Sequence, residues 1–104
     1  MIIAVDFDGV IHDTTTIPKG KRMGIPVDFA YDAMQQLADQ GHHLIIFTIR
    51  ARNPAHIQHV IDWLNYFKMP FHEVTALKPD ADFYIDNKAI HFDTWVNALE
   101  AMDL

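Results

Sequence analysis

Asp6 and Asp8 stand two residues apart in the segment Asp6-Phe7-Asp8-Gly9-Val10, directly after the apolar run of residues 1–5. Ionised neighbours of this kind repel each other, and desolvation at the end of an apolar strand adds to the cost. A divalent cation removes both penalties, and carboxylate-held cations of this type serve chemistry on phosphate. One carboxylate can attack phosphorus as a nucleophile. The other can give a proton to the leaving oxygen and later take one from water.

Further residues of suitable type follow at wide spacing. Thr48 ends the apolar run Leu44-Ile45-Ile46-Phe47, and Asp86-Asn87 ends the run before it. Lys78 falls in the turn before that last run. Asp86 can complete a metal shell. Thr48 and Lys78 can hold phosphoryl oxygens as a hydroxyl donor and a point charge.

These residues need elements that bring them together. Residues 1–5 are apolar on both faces, as in a central parallel strand. Residues 10–27 read as a long loop with Thr14-Thr15-Thr16, Pro18, Gly20, Gly24 and Pro26, and loops of this length are commonly functional. Asp28 is the expected cap of a helix carrying Phe29, Ala33, Met34, Leu37 and Ala38, which Gly41 ends. Residues 43–48 form a second strand. Asn53-Pro54 opens another helix whose buried face is Ile57, Val60, Ile61 and Leu64, with Phe67 near its end. Short strands over 72–75 and 82–85 follow. Asp93 or a neighbour caps a last helix, with Trp95, Leu99 and Met102 expected in the core. The alternation predicts one α/β domain over residues 1–104. Its expected form is three-layer α/β/α with a parallel sheet of about four strands. Such a sheet puts the ends of all its strands on one edge, where ligands bind.

Composition narrows the function. The chain has 104 residues, half of them hydrophobic, and no cysteine, which suits one packed core and excludes disulfides and thiolate metal sites. No apolar run approaches the roughly 20 residues of a membrane span. With a strand expected from Met1 there is no place for a signal peptide, and a cytoplasmic location is expected. A net charge of −6 disfavours bulk nucleic-acid binding, which needs Lys and Arg against phosphates.

The ordered set Asp6-Phe7-Asp8-Gly9-Val10, Phe47-Thr48, Lys78 and Tyr84-Ile85-Asp86-Asn87 resembles the four motifs of the haloacid dehalogenase-like phosphatases. The resemblance runs from residue 6 to residue 87. It implies that Asp6 is the nucleophile that becomes an aspartyl phosphate and that Asp8 is the general acid and base. It implies Mg²⁺ held by Asp6, the Asp8 backbone carbonyl and Asp86, and a sheet with the first strand between the second and the fourth. Gly9 allows the turn that brings the loop over the site and joins Thr48 and Lys78 near the phosphate. Many relatives carry a second acid in the fourth motif. Asn87 stands beside Asp86 here as a further metal-site residue that can still bind a metal-bound water, but it brings no charge, which lowers the expected affinity. Residues 10–27 are too few for a folded cap, so a capless member is expected, with an open site that a neighbouring subunit could cover as a homo-oligomer. The implied activity is Mg²⁺-dependent hydrolysis of a small phosphorylated molecule, a sugar phosphate or a nucleotide. Transfer to another acceptor and a phosphate- or metal-binding module with little turnover are the alternatives.

Other residues carry weaker signals. Arg50 and Arg52 follow Thr48 and either bind substrate anions, with Arg50 the candidate phosphate contact, or are exposed turn residues. Lys19, Lys21 and Arg22 could steer an anion, although a solvated loop is the plainer reading. His12 lies where a leaving group could be contacted. His56 and His59 stand three apart on one helix, but without a further ligand in register they do not make a zinc site.

Overall fold

The computed structural model describes residues 1–103. Four strands, β1 (Ile2–Asp6), β2 (His43–Phe47), β3 (Glu73–Thr75) and β4 (Phe83–Ile85), form one parallel sheet in the order β3-β2-β1-β4. Helices α1 (Ala30–Asp39), α2 (Pro54–Tyr66) and α3 (Trp95–Met102) flank it. The result is a three-layer α/β/α, Rossmann-like arrangement without a cap. β1 sits between β2 and β4, where the chain changes its direction of travel across the sheet, which is the topological switch point of such folds. Among the described residues, no helix is long and apolar enough to cross a membrane.

The register sets the level of the site. Asp6 pairs with Phe47 and Val5 with Ile85, so Thr48 and Asp86 each stand one residue beyond a paired position. Thr48 N–H donates to the Thr75 carbonyl at 2.9 Å. At the opposite edge Asp82 fixes the entry to β4. Its carboxylate accepts from Ile2 N–H at 2.7 Å, and its own N–H donates to the Ile2 carbonyl.

The core is built from Ile3 and Val5 of β1, Leu44 and Ile46 of β2, Met34 of α1, and Val60, Trp63 and Leu64 of α2. Phe7 and Ile11, just past β1, join it, so the segment that carries Asp6 and Asp8 is anchored from both sides. Asn53 caps α2 as expected: its side chain accepts from Ala55 N–H, and Pro54 fills the first turn. Gly41 follows α1 at φ +84°, a conformation that favours glycine.

Two expectations fail. Asp28 does not cap α1. Phe29 precedes the helix in the left-handed region, at φ 66°, and no side-chain bond caps the end. The cause is the preceding strap. Val27 N–H donates to the Ile11 carbonyl and Ala30 N–H to the Val27 carbonyl, so the chain enters the helix through a turn that excludes Asp28 from the cap. The second failure concerns α3. Thr94 caps it, but the Trp95, Leu99, Met102 stripe is not core. Trp95 is 70% exposed, Leu99 and Met102 are also exposed, and only Ala98 is buried. The side chains of β4, a three-residue edge strand, are exposed as well, so the strand and the helix do not cover each other's apolar groups.

Residues 10–27 are also more ordered than a loop. A 3-10 turn over Thr14–Thr16 is capped by Asp13, whose carboxylate accepts from Thr15 N–H. Single bridges join His12 to Asp8 and to Pro26.

Candidate functional site

Asp6, Asp8, Thr48 and Lys78 line one cleft of about 520 Å³ at the carboxyl edge of the sheet, together with Arg52 and Lys88. Residues that lie up to 82 positions apart in the chain thus share one wall. Asp86 lines the adjoining cavity of about 510 Å³, and Lys78 borders both.

The two strand-end carboxylates have opposite environments. Asp6 accepts Phe7 N–H at 2.8 Å through Oδ1, which orients the carboxyl group. Burial pushes its pKa above the ordinary carboxylate value, and the neighbouring charges of Asp86 and Asp8 push it further, against the Phe7 bond and the Lys88 charge. Asp8 is pushed up by burial too, but its partners outweigh that and hold its pKa below the ordinary value. Arg50 grips it bidentately, with Nε 2.8 Å from Oδ2 and Nη2 3.0 Å from Oδ1. His12 Nδ1 lies 2.8 Å from Oδ1.

His12 is buried completely, so it does not reach a leaving group as the sequence suggested. Its role is set by a network. Gly24 N–H donates to His12 Nε2 at 2.8 Å. That nitrogen is therefore the acceptor, and Nδ1 carries the hydrogen that goes to Asp8. The ring stacks on Phe7 at 5.2 Å and meets Trp63 edge-on at 5.4 Å. Trp63 Nε1 in turn donates to the Gly24 carbonyl at 2.9 Å. Trp63 was absent from the expected buried face, although its place three residues after Val60 puts it on the same side of α2.

The remaining expected residues fall as follows. Thr48 is buried, caps the 3-10 turn of Ile49–Arg52 through its oxygen, which accepts Arg50 N–H at 3.3 Å, and keeps its own hydrogen to donate. Lys78 Nζ lies 4.5 Å from the Tyr84 ring centre and 5.9 Å from that of Phe47. Among the described residues it is in no ion pair, so its charge is available to a ligand. Arg50 is directed at Asp8, not freely at the cleft. Gly9 adopts φ +83°, and any side chain at this position would collide with the Asn87 amide. Asn87 therefore packs over Gly9. Lys88 was missed as a cleft residue. It is carried inward by the turn in which Asp86 Oδ1 accepts Lys88 N–H at 2.9 Å. Only its spacing from Asp86 hinted at this.

Among the described residues, no three His, Asp or Glu side chains form a metal cluster. A hard cation needs fewer. Mg²⁺ keeps several waters and takes one or two carboxylates plus phosphate oxygens. The donor set of Asp6, Asp86 and the Asp8 carbonyl is all oxygen; burial first, and then the Asp86 and Asp8 charges, raise Asp6, and a cation relieves the repulsive part. The residues fit that ion.

No protein-family model matches the chain, and no curated protein matches it. Among solved structures, it is similar to the conserved protein coded by a locus from Bacteroides thetaiotaomicron. The TM-score is 0.68 with 24% identity over 99% of this chain and 89% of that one. At that identity the likeness is one of fold.

Proposed function

We propose that this protein is a Mg²⁺-dependent phosphomonoesterase of the haloacid dehalogenase-like type. The observation that carries the reading is the shared cleft of Asp6, Asp8, Thr48 and Lys78 at the switch point of the sheet. Asp6, oriented by Phe7 N–H, attacks phosphorus with its free oxygen, and the bond from phosphorus to the substrate oxygen breaks. Asp8, ionised while Arg50 grips it, takes up a proton once that grip is withdrawn and gives it to the leaving oxygen. In the second half water attacks the phosphorus of the aspartyl phosphate, Asp8 takes the water's proton, and phosphate leaves. Thr48 and Lys78 hold the phosphoryl oxygens as charge develops on them. Asp6, Asp86 and the Asp8 carbonyl would hold Mg²⁺, which when bound neutralises charge on the carboxylate and the phosphate.

Asp8 can act only when one of its oxygens is free. Oδ2 is held by Arg50 alone, so withdrawal of the guanidinium frees that oxygen while His12 keeps Oδ1. The substrate is a small phosphorylated molecule, for which the open, capless cleft has room. Transfer to an acceptor other than water uses the same groups.

A second reading, a phosphate-binding module with little turnover, is favoured by one observation: both Asp8 oxygens are engaged. Release of inorganic phosphate from a panel of sugar phosphates and nucleotides, with and without Mg²⁺, separates the two. Metal-dependent release supports the enzyme. Metal uptake with no release from any substrate supports the module.

A further inference from the structure

A second concave site lies behind the Asp8–Arg50 pair. It is a cavity of about 260 Å³ lined by Arg22, Met23, Arg50, His56 and His59, with no carboxylate in its wall. This is notable in a chain with 14 acidic and 8 basic residues, because a general excess of cations does not explain it. Among the described residues Arg22 is in no ion pair. Its Nη1 lies instead against the His59 ring, 2.8 Å from Nδ1 and 3.2 Å from Nε2, and the His59 ring stacks on His56 at 5.9 Å. A guanidinium whose partner is an imidazole nitrogen keeps its charge uncompensated and open to an anion.

The site is held in place by the core. Gly24, two residues after Arg22, is pinned through both its backbone groups, by His12 and by Trp63. A side chain at position 24 would collide with Thr16, so only glycine permits this close passage. His56 and His59 project from the first turns of α2, whose start Asn53 and Pro54 fix. Arg50 connects the cavity to the cleft: Nε and Nη2 hold Asp8, Nη1 lies 3.5 Å from the Arg22 carbonyl, and the side chain borders the cavity.

We propose that this cavity is a subsite for a second oxyanion of the substrate. The preferred substrates are then phosphomonoesters that carry a further phosphate or carboxylate a few bonds from the phosphate being cleaved. This rests on the phosphatase reading of the Asp6 cleft and names its substrate class. It also assigns a use to Arg50. An anion in the cavity draws the guanidinium from Asp8, so the second charge both anchors the substrate and frees the acid.

The test compares butyl phosphate, butane-1,4-diol bisphosphate and 4-phosphooxybutanoate, which differ only in the distal group. The expected result is a kcat/KM at least about tenfold higher for one or both doubly anionic esters, the size of one charge-assisted hydrogen bond. Which ester is favoured tells phosphate from carboxylate. In Arg22→Gln that preference falls about tenfold, mainly through KM. Equal kcat/KM for all three esters, or a preference unchanged in Arg22→Gln, overturns the subsite. If no ester is hydrolysed, the phosphatase reading is decided by the sugar phosphate and nucleotide panel, and the cavity is tested by binding alone. Titration with the bisphosphate should then shift the imidazole NMR signals of His56 and His59 in the parent and not in Arg22→Gln. Absence of that shift in the parent, or its persistence in the variant, overturns the proposal.

Discussion

Removing Arg50 should cost stability in a way that depends on the charge of Asp8. The pair is bidentate, with bonds of 2.8 and 3.0 Å, and the two side chains are 26% and 33% exposed. Fully exposed pairs contribute roughly 0.2–1 kcal/mol, and breaking a fully buried one costs about 3–5 kcal/mol. Partial exposure and solvent screening put this pair near ~1–2 kcal/mol at neutral pH, a factor of about 5–30 in the folding equilibrium. The assay is a double-mutant cycle of Arg50→Gln and Asp8→Asn by urea denaturation. The pH dependence follows from the depressed pKa of folded Asp8, caused by Arg50 and His12 against the opposing effect of burial. A depressed carboxylate contributes stability above its unfolded value, about 3.9, and loses it as the pH falls through the folded value. The coupling should therefore be complete at pH 7, begin to fall below about pH 4, and vanish once folded Asp8 is protonated. A coupling under about 0.3 kcal/mol at pH 7, or one that persists when Asp8 is protonated, would refute the clamp.

The other groups give shorter predictions. Asp6→Asn should stabilise the metal-free fold at pH 7 by something on the order of 0.5 kcal/mol, because burial and the Asp86 and Asp8 charges raise the Asp6 pKa. A raised carboxylate costs stability above its folded value, so the gain should disappear as the pH falls below the ordinary value, and a loss of melting temperature at pH 7 would contradict it. Asp8→Asn should slow hydrolysis of an alkyl phosphate more than that of an aryl phosphate, since a good leaving group needs less protonation; equal losses would count against the acid role. Gly9→Ala should cost about 1–2 kcal/mol in denaturant unfolding from its positive φ, and should turn the Asn87 amide aside. An unchanged midpoint would show that the turn at Gly9 relaxes freely.

The parts of the fold written in local pattern were legible in the sequence. Apolar runs ending in Asp6, Thr48 and Asp86 gave the strands, and a parallel sheet obliged those ends to meet. The Asn53-Pro54 cap carried its own chemistry. What was illegible depended on partners distant in the chain. Arg50 and Asp8 are 42 positions apart, and nothing local to either indicates a clamp. His12 reads as a contact for a leaving group until Gly24 and Trp63 are brought to it. The α3 stripe has core periodicity, but periodicity reports only which side is apolar. Whether that side is covered depends on partners elsewhere in the chain, and here Trp95, Leu99 and Met102 stay exposed, as do the side chains of β4.

The central claim is that Asp6 forms a bond to phosphorus, and an acid quench of the protein during turnover tests it directly. The parent, with Mg²⁺ and an aryl phosphate, should carry one added phosphoryl group by intact mass. Borohydride reduction followed by peptide mapping should place it on Asp6, and Asp6→Asn should give neither adduct nor phosphate release. Steady release of phosphate with no adduct on Asp6, sustained in folded Asp6→Asn, would contradict the account.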